Sequence, residues 1–220
     1  MRKSCRPPFV KGARRGGVLL KIFGSILLCP AALVQQAAAQ QPPPSGATSD
    51  AATATLEGFG REVKVSVPDV WVTNQDGRKV RFHTDLIKGR KVAVGFFYTA
   101  CTFICTRHGE FFSKLQAALG DRLGEEVFLI SVTMDPLTDT PAKLERWART
   151  YHRKPGWTLV TGSVDELSRV LKVFTGNTAG PRDDHSSFFY IADDRTGVWQ
   201  LVDTLAPPAA VADKLGRLNR

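Results

Sequence analysis

At 220 residues the chain has room for one ordinary domain with a segment to spare. Its 43% apolar and 23% charged residues exclude wholesale disorder, and the absence of an unbroken apolar run of roughly eighteen residues excludes a polytopic membrane protein. The formal charge of +9 is large enough for a nucleic-acid binder but is distributed differently. Arg2, Lys3, Arg6, Lys11, Arg14, Arg15 and Lys21 supply seven of the positives, and no Asp or Glu precedes Asp50. Beyond residue 39 the chain is close to neutral, so nucleic acid is not an expected partner.

The basic stretch opens a leader. It runs to Lys21, an apolar stretch extends from Ile22 to Val34, and small residues end at Ala37-Ala38-Ala39. That order is a secretory signal peptide's, and cleavage is expected after Ala39. Pro30 interrupts an apolar stretch already short for a bilayer, although a retained anchor is the alternative if it extends back past Lys21. Arg14-Arg15 lacks a bulky pattern after it for a twin-arginine signal, and Leu28 is large for a residue preceding a lipid-bearing Cys29. Residues 40–55, with Pro42-Pro43-Pro44 and a Thr/Ala run, form a flexible linker, and residues 56–220 form the folded domain.

Within that domain Val70–Val72 and Val80–Phe82 flank the turn-rich Asn74-Gln75-Asp76-Gly77 and predict a hairpin. Val92 to Tyr98 is continuously apolar, as in a central strand buried on both faces. Cys101 to Leu119 carries apolar residues at helical spacing up to Gly120, and Val127 to Val132 is a second buried strand. Thr140-Pro141 opens a helix with Leu144, Trp147, Ala148 and Tyr151 on its inner face. Trp157 to Val160 is strand-like, and Ser163 with Glu166 has capping-box spacing for a helix to about Phe174. Phe188–Ala192 and Val198–Val202 form a strand pair, and Pro208–Leu218 a last amphipathic helix. Strands alternating with helices predict an α/β sandwich with a mixed sheet.

Four cysteines become two when the leader takes Cys5 and Cys29. Cys101 and Cys105 lie four apart where the first long strand turns into its helix, a spacing that brings Cβ atoms to about 5–6 Å on one helical face. Helix N-terminal N–H groups favour thiolate over thiol, so the pair is expected to be reactive. A disulfide between them would close a very small loop and staple nothing distant. Two cysteines and one histidine do not complete a closed zinc set. Among the histidines, His152 and His108 are expected on helix surfaces and His83 shows no partner, whereas His185 follows Asp183-Asp184 just before the Phe188 strand. The residues leave His185 two roles, a functional group or a locally satisfied loop histidine.

Gly95-Phe96-Phe97-Tyr98-Thr99-Ala100-Cys101-Thr102-Phe103-Ile104-Cys105 resembles the C-x-x-x-C strand-to-helix signature of the Sco/SenC family. Ile130 to Pro136, continuing Leu137-Thr138-Asp139-Thr140-Pro141, resembles its strand-turn-helix landmark, and Asp184-His185-Ser186 its third. The resemblance implies a thioredoxin-like fold, a mixed central sheet flanked by helices with an additional N-terminal hairpin. It implies an exported protein facing the periplasm or its equivalent. Copper would be bound by Cys101, Cys105 and His185, with the two cysteines also a redox pair. The partner would be the copper-site subunit of cytochrome c oxidase or another envelope cuproprotein, with a thiol reductase as a further partner. Two positions depart from the pattern: Thr106 stands where proline commonly follows the second cysteine, and Thr133-Met134 enlarge the turn. Met134 is the one methionine beyond the leader, which excludes a methionine-rich copper site.

Two soft thiolates suit copper(I), an added imidazole admits copper(II), and three ligands leave a position open for a recipient. Disulfide formation would abolish binding, so thiol redox state should gate loading. A thiol–disulfide oxidoreductase using Cys101 and Cys105 is the competing function, although C-x-x-x-C is one residue longer than the usual redox spacing. A peroxidase fits less well, because Tyr98 occupies the place of the threonine in Thr-x-x-Cys. A thiol redox sensor is a fourth reading.

Overall fold

The computed structural model describes residues 60–102, 104–176, 179 and 187–218. The leader, the 40–55 linker and His185 lie outside the described residues. Eight strands form one mixed sheet: β1 (Arg61–Val63), β2 (Trp71–Asn74), β3 (Lys79–Arg81), β4 (Lys91–Phe97), β5 (Val127–Thr133), β6 (Trp157–Thr161), β7 (Phe188–Asp193) and β8 (Val198–Asp203). Their order is β1-β8-β7-β4-β5-β6-β2-β3. The helices are α1 (Phe82–Leu86), α2 (Ile104–Leu119), α3 (Pro141–Thr150), α4 (Val164–Thr175) and α5 (Pro208–Arg217).

The continuous apolar run of β4 places it in the middle, parallel to β5 on one side and antiparallel to β7 on the other. One face packs Ala93, Phe97 and Leu129 against Phe112 and Leu115 of α2, Leu144 of α3 and Leu215 of α5. The other packs Val92, Val94 and Ile130 against Phe82 and Leu86 of α1 and Leu167 and Val170 of α4. The predicted mixed sheet flanked by helices is therefore present, with helices on both faces.

The predicted hairpin forms with Val72 opposite Val80, and β2 joins the sheet through Thr73 opposite Thr161 of β6. Phe82, expected at the end of a strand, instead begins α1 and is buried. The Asn74 side-chain oxygen accepts from the Asp76 and Arg78 N–H groups at 3.0 and 2.9 Å, and Gly77 supplies the positive φ that the turn needs. Thr140 caps α3 by accepting from the Lys143 N–H. The Ser163 hydroxyl accepts from the Glu166 N–H at 3.2 Å, while its contact with the Glu166 carboxylate at 2.8 Å ties the two side chains together.

These caps and strand ends collect at one end of the sheet. β4, β5 and β6 run parallel and deliver their C-terminal ends there, while β7 and β2 begin there because they run the other way. Cys101 and Cys105 sit at this end.

Candidate metal centre

β4 ends at Phe97 and the chain turns sharply, with the Cys101 N–H donating to the Tyr98 carbonyl at 3.2 Å. Helix α2 begins at Ile104, so Cys101 precedes the helix it was expected to open. The reason is a capping contact: the Cys105 N–H, in the first turn where no intrahelical acceptor exists, donates to Cys101 Sγ at 3.3 Å. The Tyr98 N–H donates in turn to Cys105 Sγ at 3.4 Å. The two thiols, not joined in a disulfide, are thus brought together by backbone N–H groups that point at sulfur.

Their surroundings differ. Cys101 is half-buried, while Cys105 is 1% exposed against Phe112 and its neighbours. Burial pushes the Cys105 thiol far above its ordinary range, the hydrogen bond with Cys101 pushes the same way, and the Tyr98 N–H only partly opposes them. The expectation that the helix terminus would favour thiolate therefore fails for Cys105, because desolvation outweighs the N–H groups. A bound cation can balance that charge where water cannot.

The loop leading to Cys101 is held from outside. The Thr99 N–H and hydroxyl donate to the Asp139 carboxylate at 3.0 and 2.5 Å, and the Thr133 hydroxyl donates to it at 2.5 Å. Asp139 is 1% exposed. The Tyr151 ring, following α3, lies over Gly109 of α2, where a Cβ would come within 2.4 Å of it.

His108 is not on the helix surface as expected. It is 3% exposed, stacked among Phe97, Phe112 and Trp147, with Nε2 3.1 Å from Ser131 Oγ, which also accepts from Trp157 Nε1–H at 3.0 Å. Burial lowers its pKa to about 3, so the imidazole is neutral. His83 does have a partner, Asp194 Oδ1 at 3.1 Å, and His152 is exposed at the end of α3 as expected. Met134 is buried at the end of β5, a packing role.

Among the described residues no three His, Cys, Asp or Glu side chains gather closely enough to hold a metal ion. The thiols provide two soft sulfur donors, and among the described residues no third His, Cys, Asp or Glu side chain joins them. His185, the predicted third ligand, lies in the 180–186 segment outside the described residues. Asp139 and Thr99 were not singled out from the sequence. The signal was faint: an acid directly before a Thr-Pro helix start reads as part of the start, not as a clamp on another loop.

A mixed sheet whose central strand ends in a turn bearing two thiols, the second in the first turn of the next helix, defines a thioredoxin-like protein with a vicinal thiol site. The chain belongs to the SCO1/SenC family, which it matches over residues 65–220. The SCO1 protein homolog of Bacillus subtilis is 30% identical over 125 residues, covering 54% of this chain and 63% of that protein. The chain spans about half to three-fifths of the length of the curated relatives it matches first. Among solved structures, a SCO1/SenC family lipoprotein from Bacillus anthracis aligns with a TM-score of 0.63 at 23% identity, covering 73% of this chain and 98% of that one. Yeast Sco1 with copper bound aligns with a TM-score of 0.57 at 20% identity, covering 72% and 86%. At these identities the structures establish the fold, and the thioredoxin-like expectation holds.

Proposed function

We propose that this chain is an exported copper carrier that holds copper with Cys101, Cys105 and His185 and delivers it to the copper-site subunit of cytochrome c oxidase or another envelope cuproprotein. The observation that carries the reading is the thiol pair itself. Two soft sulfur donors are held together at the start of α2, Cys105 buried in its first turn and Cys101 half-buried just before it, in a chain of the SCO1/SenC family. A copper-bound relative of the same fold supports the choice of metal. The basic and apolar leader supports export, with membrane association following only if residues 1–39 are retained.

Delivery to a protein is supported by the surface around the thiols. Of the six exposed large apolar side chains among the described residues, five lie at their end of the sheet: Trp71, Leu137, Val164, Phe188 and Leu205. They sit at or just beyond the ends of β2, β5, β6, β7 and β8, where the parallel and antiparallel strands meet that end. Leu137 and Leu205 are 76% and 68% exposed. Such an apolar rim around a transfer site suits a protein recipient.

Anaerobic titration of copper(I) into the reduced protein, beside Cys101→Ser and His185→Ala, tests the reading. Tight one-to-one binding in the parent, weakened by either change, is expected. Equal affinity in the parent and His185→Ala would remove His185 from the ligand set. No specific binding in the parent would overturn the carrier, leaving thiol–disulfide exchange by Cys101 and Cys105 to be measured on disulfide substrates.

A further inference from the structure

We propose that Asp139 is the positioning residue of the thiol site, fixing where Cys101 stands relative to Cys105. Asp139 immediately precedes the Thr140 cap and Pro141 of α3, where a carboxylate would ordinarily serve its own helix N-terminus. It does not, because Thr140 does the capping and the Asp139 side chain turns inward. The hydrogen bonds to its carboxylate come from two other segments. Oδ1 accepts from the Thr99 hydroxyl, and Oδ2 accepts from the Thr99 N–H and the Thr133 hydroxyl. Thr133 Oγ1 also accepts from the Asp135 N–H at 3.0 Å, so the turn from 133 to 139 is closed on the same group.

A carboxylate buried to 1% exposure takes part in none of the six ion pairs among the described residues. Such burial is costly unless donors surround the charge, and here two of the three donors are the N–H and hydroxyl of Thr99, in the loop that carries the ligand. Thr99 is two residues before Cys101. The Tyr98–Cys105 and Cys101–Cys105 contacts are made within the 98–105 segment, whereas Asp139 grips that segment from the separate loop between β5 and α3. Without this grip the turn at Tyr98 can shift Cys101 Sγ away from the Cys105 N–H while leaving the helix intact. The consequence for copper rests on the carrier reading. The consequence for thiol geometry does not.

The test uses the full chain and three variants, Asp139→Asn, Thr99→Ala and Thr133→Val, with Ser131→Ala as a control that breaks a different buried hydrogen bond. Copper(I) affinity by chelator competition and the copper(II)–thiolate absorption band are read beside thermal unfolding. Asp139→Asn and Thr99→Ala are expected to weaken copper(I) binding by about ten- to a hundredfold and to move the band, the range seen when groups orienting metal ligands are lost. Their effects should not add in the double variant, since both break one clamp. Ser131→Ala should lower the melting temperature and leave affinity and band as in the parent. If Asp139→Asn does not fold, Thr99→Ala and Thr133→Val carry the same comparison. Melting losses in the clamp variants with affinity and band unchanged would overturn the proposal.

A second readout separates this from the carrier reading. Glutathione disulfide takes two electrons and two protons from Cys101 and Cys105, giving the internal disulfide and two reduced glutathiones. If the parent binds no copper, the carrier falls, and this closure rate decides for the clamp. A rate changed severalfold in Asp139→Asn and Thr99→Ala supports it, and a rate equal to the parent's overturns it.

Discussion

Gly95→Ala probes the packing that sets α2, and with it Cys105, against the sheet. A Cβ built on Gly95 falls 2.0 Å from His108 Cε1 and 2.8 Å from Nδ1. Ordinary contact needs about 3.5 Å, so the ring has to retreat by about 1.5 Å. It has little space, being enclosed by Phe97, Phe112 and Trp147 and held at Nε2 by Ser131. The strand cannot yield either, because Gly95 is paired with Ser131 on one side and Phe189 on the other. Overpacking of this kind costs about 3 kcal/mol, at the upper end of the usual range, and the less flexible unfolded chain returns about 0.5–1 kcal/mol. The net loss is about 2 kcal/mol, a fall in melting temperature of about 4–8 °C for a domain of this size. Urea unfolding of the reduced protein measures it, with His108→Ala as the second arm. In that background the ring is gone, and Gly95→Ala should cost less than about 0.5 kcal/mol. An unchanged urea midpoint in Gly95→Ala, or the same loss with and without the imidazole, would refute the contact.

His108 also predicts a pH dependence. Its folded pKa of about 3 lies below the unfolded value of 6.5, so the unfolded chain binds the extra proton first. Its contribution is complete above pH 6.5 and declines as pH falls towards 3, by about 2 kcal/mol at pH 5. His108→Phe should flatten that limb of the unfolding free energy, and an identical slope would contradict the assignment. The thiols predict unequal chemistry: iodoacetamide should label half-exposed Cys101 many times faster than buried Cys105 at pH 8, scored by peptide mass spectrometry on the reduced protein. Equal labelling would show that Cys105 is neither shielded nor shifted.

Local chemistry was the legible part of the sequence. The unbroken Val92–Tyr98 run can only be a strand covered on both faces, and Thr140-Pro141 and Ser163 with Glu166 cap the helices they predict. Three-residue β1 and five-residue α1 were missed because neither is long enough to show a period. The Cys101 error has the same root. Periodicity cannot distinguish the first residue of a helix from a residue whose side chain caps it. His108 failed for a non-local reason: its helix offers no sign that Gly95, on the strand beneath, leaves room for an imidazole. Asp139 is harder still, since its role exists only once the β4–α2 and β5–α3 loops lie side by side.

The asymmetry of the two thiols bears on which chemistry the site performs. Disulfide exchange requires a thiolate that attacks readily, and its rate depends on thiolate fraction and access. Cys105 lacks both, being buried and held in its protonated form by desolvation. For a metal carrier the same features are useful. A soft cation replaces the protons, the buried thiolate so formed is neutralised by its own ligand, and the dry surroundings strengthen the pairing. Cys101, only partly buried, would then be the ligand that a recipient's donor meets first. In such a carrier, exchange through Cys101 could proceed while Cys105 still held the ion, and the cargo would pass on without being released into solvent. A pair of equally exposed, equally acidic thiols would lose that order of events and would be open to oxidation at both sulfurs. The buried cysteine therefore favours the carrier over the exchange enzyme, and in that reading the more accessible Cys101 would set the side from which a recipient approaches.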